Sequence, residues 1–229
     1  MALFRAVWRF VRGAPLTYLW LLLLVYTTIS AHSMSKLQLH HLLVHRSTNI
    51  HHLGTDPLYV LGSSLLWIDG RYWLPYLVLF SVFLAPAEHW LGQWRWLTVG
   101  LSAHVLATYI SEGVLYLAID WGLASARQVN ASDVGVSYFL AGVAGVLSYR
   151  IARPWRWGYL AVAVAIFAVA LIVKPGFTPV GHLAALLIGL CFYPIARGRG
   201  SPEWDPGQLR LLRRLATRGA DRAAPTLTG

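Results

Sequence analysis

The stretch Val134-Gly135-Val136-Ser137-Tyr138-Phe139-Leu140-Ala141-Gly142-Val143-Ala144-Gly145-Val146-Leu147-Ser148 runs for fifteen residues without a charge. Glycine and alanine recur along it at Ala141 and Gly145, one helical turn apart after Ser137. An apolar segment of this kind reads as a membrane helix whose small residues let a neighbouring backbone approach closely. Its one reactive side chain near the start is Ser137. A second segment, Thr178–Ile195, has the same design, with Gly181-His182 near its start and Ala185 and Gly189 continuing one face. A serine and a histidine at similar depth in two such helices suggest a nucleophile and its base.

Composition places these helices in an integral membrane protein. Of the 229 residues 57% are hydrophobic and only 12% charged, and the mean hydropathy is +0.54. Six stretches come near the roughly 20 residues that cross hydrocarbon as a helix: Leu16–Ala31, Tyr72–Ala87, Trp96–Ile119, Val134–Ile151, Trp157–Val173 and Thr178–Ile195. The expected fold is all-α, a compact six-transmembrane-helix bundle over residues 16–195. A basic N-terminal segment, 1–15, precedes it, a long outer loop spans 32–71, and a basic tail, 196–229, follows.

Basic residues set the orientation. Arg5, Arg9 and Arg12 precede the first span, Arg95 lies between spans two and three, and Arg150, Arg153 and Arg156 lie between four and five. Seven more arginines, Arg197 to Arg222, follow the sixth span, whereas the other side has only Lys36, Arg46, Arg71, Arg127 and Lys174. The positive-inside rule then makes both termini cytoplasmic. The formal charge of +10 sits in these flanks rather than in a folded basic domain, so no nucleic-acid partner is expected. The basic start, apolar run and small residues near Ser30-Ala31 also resemble a secretory signal, but the reading favoured is an uncleaved first span. The lone Cys191 has no intramolecular disulfide partner.

The outer segment contains His32, His40, His41, His45, His51 and His52. Cysteine is absent from it and carboxylates are few. Leu37, Leu39, Leu42, Leu43 and Val44 make it amphipathic, which suits a helix lying at the interface, and neither a metal nor another cofactor is expected. In the tail, Leu209, Leu212 and Leu215 stand against Arg210, Arg213, Arg214 and Arg218, the pattern either of a short helix on anionic lipid in an otherwise disordered segment or of a plainly solvated basic tail.

Span three adds a polar stripe, His104, Thr108 and Glu112 at four-residue spacing with Ser111 adjacent, and Asp133 stands at the outer approach to Ser137. The stripe reads as supporting polar groups or interhelical hydrogen bonds rather than as catalytic residues.

The order of these features resembles the rhomboid intramembrane serine proteases. A long first outer loop is followed by Glu88-x-x-x-Gly92 at the inner end of span two, Gly135-Val136-Ser137 with Gly145 in span four, and His182-x-x-x-x-x-x-Gly189 in span six. The resemblance covers about Leu16 to Ile195. It implies that Ser137 is the nucleophile, His182 the general base, and transmembrane proteins the substrates. Two departures accompany it. Tyr138 stands where the family has a glycine after the serine. The histidine and asparagine that assist the oxyanion in span two are replaced near Tyr72 and Tyr76, whose hydroxyls, with the backbone at Gly135, are the supporting candidates. Losing an oxyanion donor costs about 10²–10³ in rate. The sequence therefore supports an active membrane hydrolase, with a catalytically silent pseudoprotease that binds client transmembrane helices as the alternative. Seventeen arginines against two lysines fit a GC-rich bacterial genome and a plasma-membrane location.

Overall fold

The computed structural model describes residues 1–68, 72–131, 133–199 and 204–208. Arg71 and the leucine-arginine pattern of 209–218 lie outside the described residues. Every regular element among those described is helical, with two isolated backbone bridges besides.

The chain opens with α1 (Ala2–Gly13), whose Arg5, Arg9 and Arg12 share one face while Leu3, Phe4, Val7, Trp8 and Phe10 are exposed. That pairing of a basic and a bare apolar face belongs to a helix lying in a lipid interface. Pro15, which lacks an amide to donate, starts α2 (Pro15–His32). The amides of Leu16 and Thr17 donate across the bundle to the two carboxylate oxygens of Glu88, at 3.0 and 2.7 Å. A carboxylate from another span thus caps the positive end of the first one.

The outer segment forms three short helices: α3 (Lys36–Arg46), α4 (Ile50–Thr55) and α5 (Pro57–Ser64). Ser35 and Gln38 build a reciprocal cap at the start of α3, and Asn49 and Asp56 cap α4 and α5. The second span comprises α6 (Leu74–Leu79), a π-helical turn at Phe80–Leu84, and α7 (Ala85–Leu91). It ends at Gly92, whose φ of 81° suits glycine, and the chain turns there into α8 (Gln93–Asp120). After a 3₁₀ turn at Ala126–Asn130 comes α9 (Val136–Leu147), then α10 (Trp155–Val173), α11 (Phe177–Cys191) and the single turn α12 (Tyr193–Ala196).

Among the described residues four helical segments are long and apolar enough to cross a membrane: Pro15–His32, Leu74–Leu91, Gln93–Asp120 and Trp155–Val173. The other two expected spans are shorter, 12 residues in α9 and 15 in α11. The shortness of α9 has a structural cause. Its expected first residues, Val134 and Gly135, are held out of the helix by the outer segment. Thr48 and Asp133 exchange backbone hydrogen bonds of 3.0 and 3.1 Å, and the Gly135 amide donates to the Ser64 carbonyl at 3.2 Å.

Nine of the twelve α9 residues are buried, whereas α10 buries none, so α9 is the axis of the bundle and α10 its lipid-facing wall. In lipid, close packing and hydrogen bonds rather than water exclusion hold helices together. A Cβ on Gly189 would lie 1.9 Å from the Gly142 carbonyl oxygen, and one on Gly145 would lie 2.4 Å from the Leu186 carbonyl oxygen. Only glycine permits this crossing of α9 and α11. Farther along, Phe139 of α9 meets Trp20 and Trp96 at ring separations of 4.8 Å each, and Trp20 also meets Phe80 at 5.0 Å.

One end of the bundle is basic. The Arg156 guanidinium donates to the Ser148, Tyr149 and Ile151 carbonyls at 3.1 Å, closing the negative end of α9. Arg199 donates to the Leu91 carbonyl, and Ile151 and Trp204 form a backbone bridge at the same end.

Candidate functional site

Ser137 is the second residue of α9, and His182 the sixth of α11. Both are half-buried, at the end of the bundle opposite Arg150, Arg156 and Arg199. Ser137 therefore lies at the mouth of its helix, above the depth expected from the sequence, because the bridge at Thr48–Asp133 delays helix formation.

What joins the two first turns is Tyr138. Its ring is fully buried and packs edge-on against the His182 imidazole, 5.1 Å between centroids, and a Cβ on Gly181 would lie 2.3 Å from its hydroxyl. Gly181 thus leaves room for the phenol, and the other face of His182 stacks on Phe167 of α10 at 5.6 Å. The Tyr138 hydroxyl donates to Asp133 and lies 3.0 Å from the Ser111 hydroxyl, which in turn is placed to donate to the Phe177 carbonyl at 3.0 Å. Span three, the approach to span four and the start of span six are tied through one phenol. The sequence marks Tyr138 only as a departure from the family's glycine after the serine. The available signal was a tyrosine between two glycine-bearing faces, five residues after an aspartate.

The hydroxyl of Ser137 donates to the Val134 carbonyl at 3.3 Å, and its described hydrogen bonds do not include His182. Around it the backbone is open. The first intrahelical donor after Gly135 is Phe139, and no backbone acceptor outside the helix is described for the amides of Val136, Ser137 and Tyr138. Free amides at a helix start, reinforced by the helix dipole, attract negative charge. The Gly135 amide is occupied by Ser64, and a Cβ on Gly135 would lie 2.1 Å from the His104 ring. Tyr72 is 78% exposed, beside Ile29 and His32, and Tyr76 packs edge-on against Phe80.

The stripe on α8 points into the bundle. Nε2 of His104 lies 3.0 Å from the Leu61 carbonyl and 3.5 Å from the Ser64 hydroxyl, and Nδ1 lies 3.5 Å from Thr108. Glu112 is buried, with no hydrogen-bond partner for either carboxylate oxygen among the described residues, within electrostatic reach of Asp133. His104, backed by Thr108, holds the outer segment to the bundle, while Asp133 and Ser111 hold Tyr138.

In the outer segment the His52 ring lies 5.6 Å from that of His45 and 5.4 Å from that of His51. Burial, then the neighbouring His51 and His45, holds the His52 imidazole below the ordinary histidine range. Among the described residues no group of three or more histidine, cysteine, aspartate or glutamate side chains is arranged to hold a metal ion.

A family model described as rhomboid-like protein matches residues 9–202. No curated protein and no solved structure matches the chain. The match covers α2 to α12, including both helices that carry Ser137 and His182. A multi-pass helical membrane protein with the outer segment, glycine crossing and inward polar stripe described above, this chain belongs to the rhomboid-like protein family.

Proposed function

We propose that the chain is an intramembrane serine hydrolase of rhomboid type, spanning a bacterial plasma membrane six times with both termini cytoplasmic and cleaving transmembrane proteins. Ser137 attacks the scissile carbonyl, and His182 takes its proton and later returns it to the leaving amine. The observation that carries this reading is the start of α9. Ser137 stands there beside first-turn amides with no described backbone acceptor, and the ring of the next residue, Tyr138, packs on His182. Those amides supply the oxyanion donors that the second span lacks. Catalysis requires the Ser137 hydroxyl to exchange the Val134 carbonyl for the imidazole. Hydrogen bonds of this kind are commonly long in substrate-free enzymes.

A second reading, a silent relative that binds client transmembrane helices, is favoured by the Ser137–Val134 bond and by the bulk of Tyr138. A fluorophosphonate probe on purified protein separates the two. The hydrolase reading expects wild-type labelling that vanishes in Ser137→Ala and His182→Ala. A folded wild type that stays unlabelled beside an active serine hydrolase control supports the silent reading.

A further inference from the structure

At the basic end, away from Ser137, a cavity of about 640 Å³ opens between α1, α7, the end of α9 and the start of α10. Its walls are mostly apolar, with Phe10, Phe83 and Leu147 among them, and Trp204 contributes from beyond α12. Tyr159 also lines it, but its hydroxyl is spent on the Ala144 carbonyl at 2.8 Å.

Arg150 is different. Its Nη1 donates to the Pro86 carbonyl at 3.0 Å, its Nε is buried without an acceptor, and no carboxylate pairs with it among the described residues. Among the described residues no aspartate or glutamate lines the cavity, and the titratable lining side chains besides Arg150 are His89 and Tyr159. A guanidinium held in an apolar cavity without a counter-charge is costly, and an incoming anion with several acceptor oxygens removes that cost. The surroundings indicate which anion. Val82, 53% exposed on the membrane face, and Phe10 of the interfacial helix α1 lie on the cavity wall, so an acyl chain has access from the bilayer side. Arg5, Arg9 and Arg12 concentrate further positive charge on α1.

We propose that this cavity is a binding site for one anionic phospholipid, its phosphodiester on Arg150 and an acyl chain along Phe83 and Val82. Such a lipid would join α1 to the bundle at the end opposite the candidate catalytic residues. The site does not depend on whether Ser137 reacts.

The test is native mass spectrometry on delipidated full-length protein in detergent, titrated with phosphatidylglycerol or phosphatidylcholine of identical chains. The wild type is expected to retain one phosphatidylglycerol about tenfold more tightly than phosphatidylcholine, the scale of a charge-assisted contact. Arg150→Gln should erase that preference and Arg150→Lys keep part of it. Val82→Trp, which fills the lipid-facing side and leaves the charge in place, should lose the bound lipid while unfolding at the wild-type temperature. Equal retention of the two lipids would overturn the proposal. So would an unchanged preference in Arg150→Gln, or complete displacement of the lipid by inorganic phosphate, which would leave a simple anion site.

Discussion

At the scale of single residues, Tyr138 organises the candidate site more than either reactive side chain does. Its ring separates α9 from α11 at the level of His182, and its hydroxyl satisfies Asp133 in a setting where an unpaired carboxylate oxygen is expensive. Tyr138→Phe keeps the ring and removes the donor. It should lower stability by about 1–3 kcal/mol, read as a lower thermal midpoint with unchanged helical circular dichroism, and should preserve fluorophosphonate labelling. An unchanged midpoint would mean that the phenol contributes packing alone. Ser137 and His182 stand out in the sequence as candidates because reactive groups are rare in apolar helices. The role of Tyr138 was not, because a hydroxyl that bridges three elements depends on how those elements cross.

At the scale of elements, two contacts fix helices that propensity alone leaves free. The Glu88 carboxylate receives both first amides of α2, so Glu88→Gln turns one acceptor into a donor facing an amide. The expected cost is about 1–3 kcal/mol, measured as a lower midpoint in detergent. The sequence marked Glu88 through its spacing to Gly92, but the target of its carboxylate lies 71 and 72 residues away and leaves no local pattern. The second contact is the glycine crossing. Gly189→Ala drives a methyl into the Gly142 carbonyl, which as backbone of a buried helix has little room to yield. That variant should lose at least about 1–3 kcal/mol and lose probe labelling as the helices part. Gly113→Ala, with nothing within 4 Å of its added methyl, should be neutral or slightly more stable. Equal behaviour of the two alanines in unfolding assays would refute the close-approach argument. Hydrophobic runs located each span, yet the start of α9 shifted because Thr48, 85 residues before Asp133, competes for its backbone.

At the scale of the whole molecule, the arrangement puts Arg150, Arg156 and Arg199 at one end and Ser137, His182 and the outer segment at the other. Charge asymmetry was readable from the sequence alone, since orientation depends on counts in short flanks rather than on packing. In a Cys191→Ser background, Gly54→Cys on the outer segment should react with an impermeant maleimide in intact cells. Gln93→Cys at the start of α8 should react only after permeabilisation. The reverse pattern would invert the topology. What the sequence left open was lateral order: six apolar stretches do not say which one the others surround, and α9 takes that place through its small side chains. The account rests on the first turns of α9 and α11 lying side by side with hydroxyl and imidazole on one face. The direct measurement is chemical bridging of Ser137→Cys with His182→Cys, again with Cys191→Ser, by a short bifunctional thiol reagent in native membranes, read by intact mass. One intramolecular bridge per chain is expected; two separate single-ended adducts and no bridge would rule the pairing out.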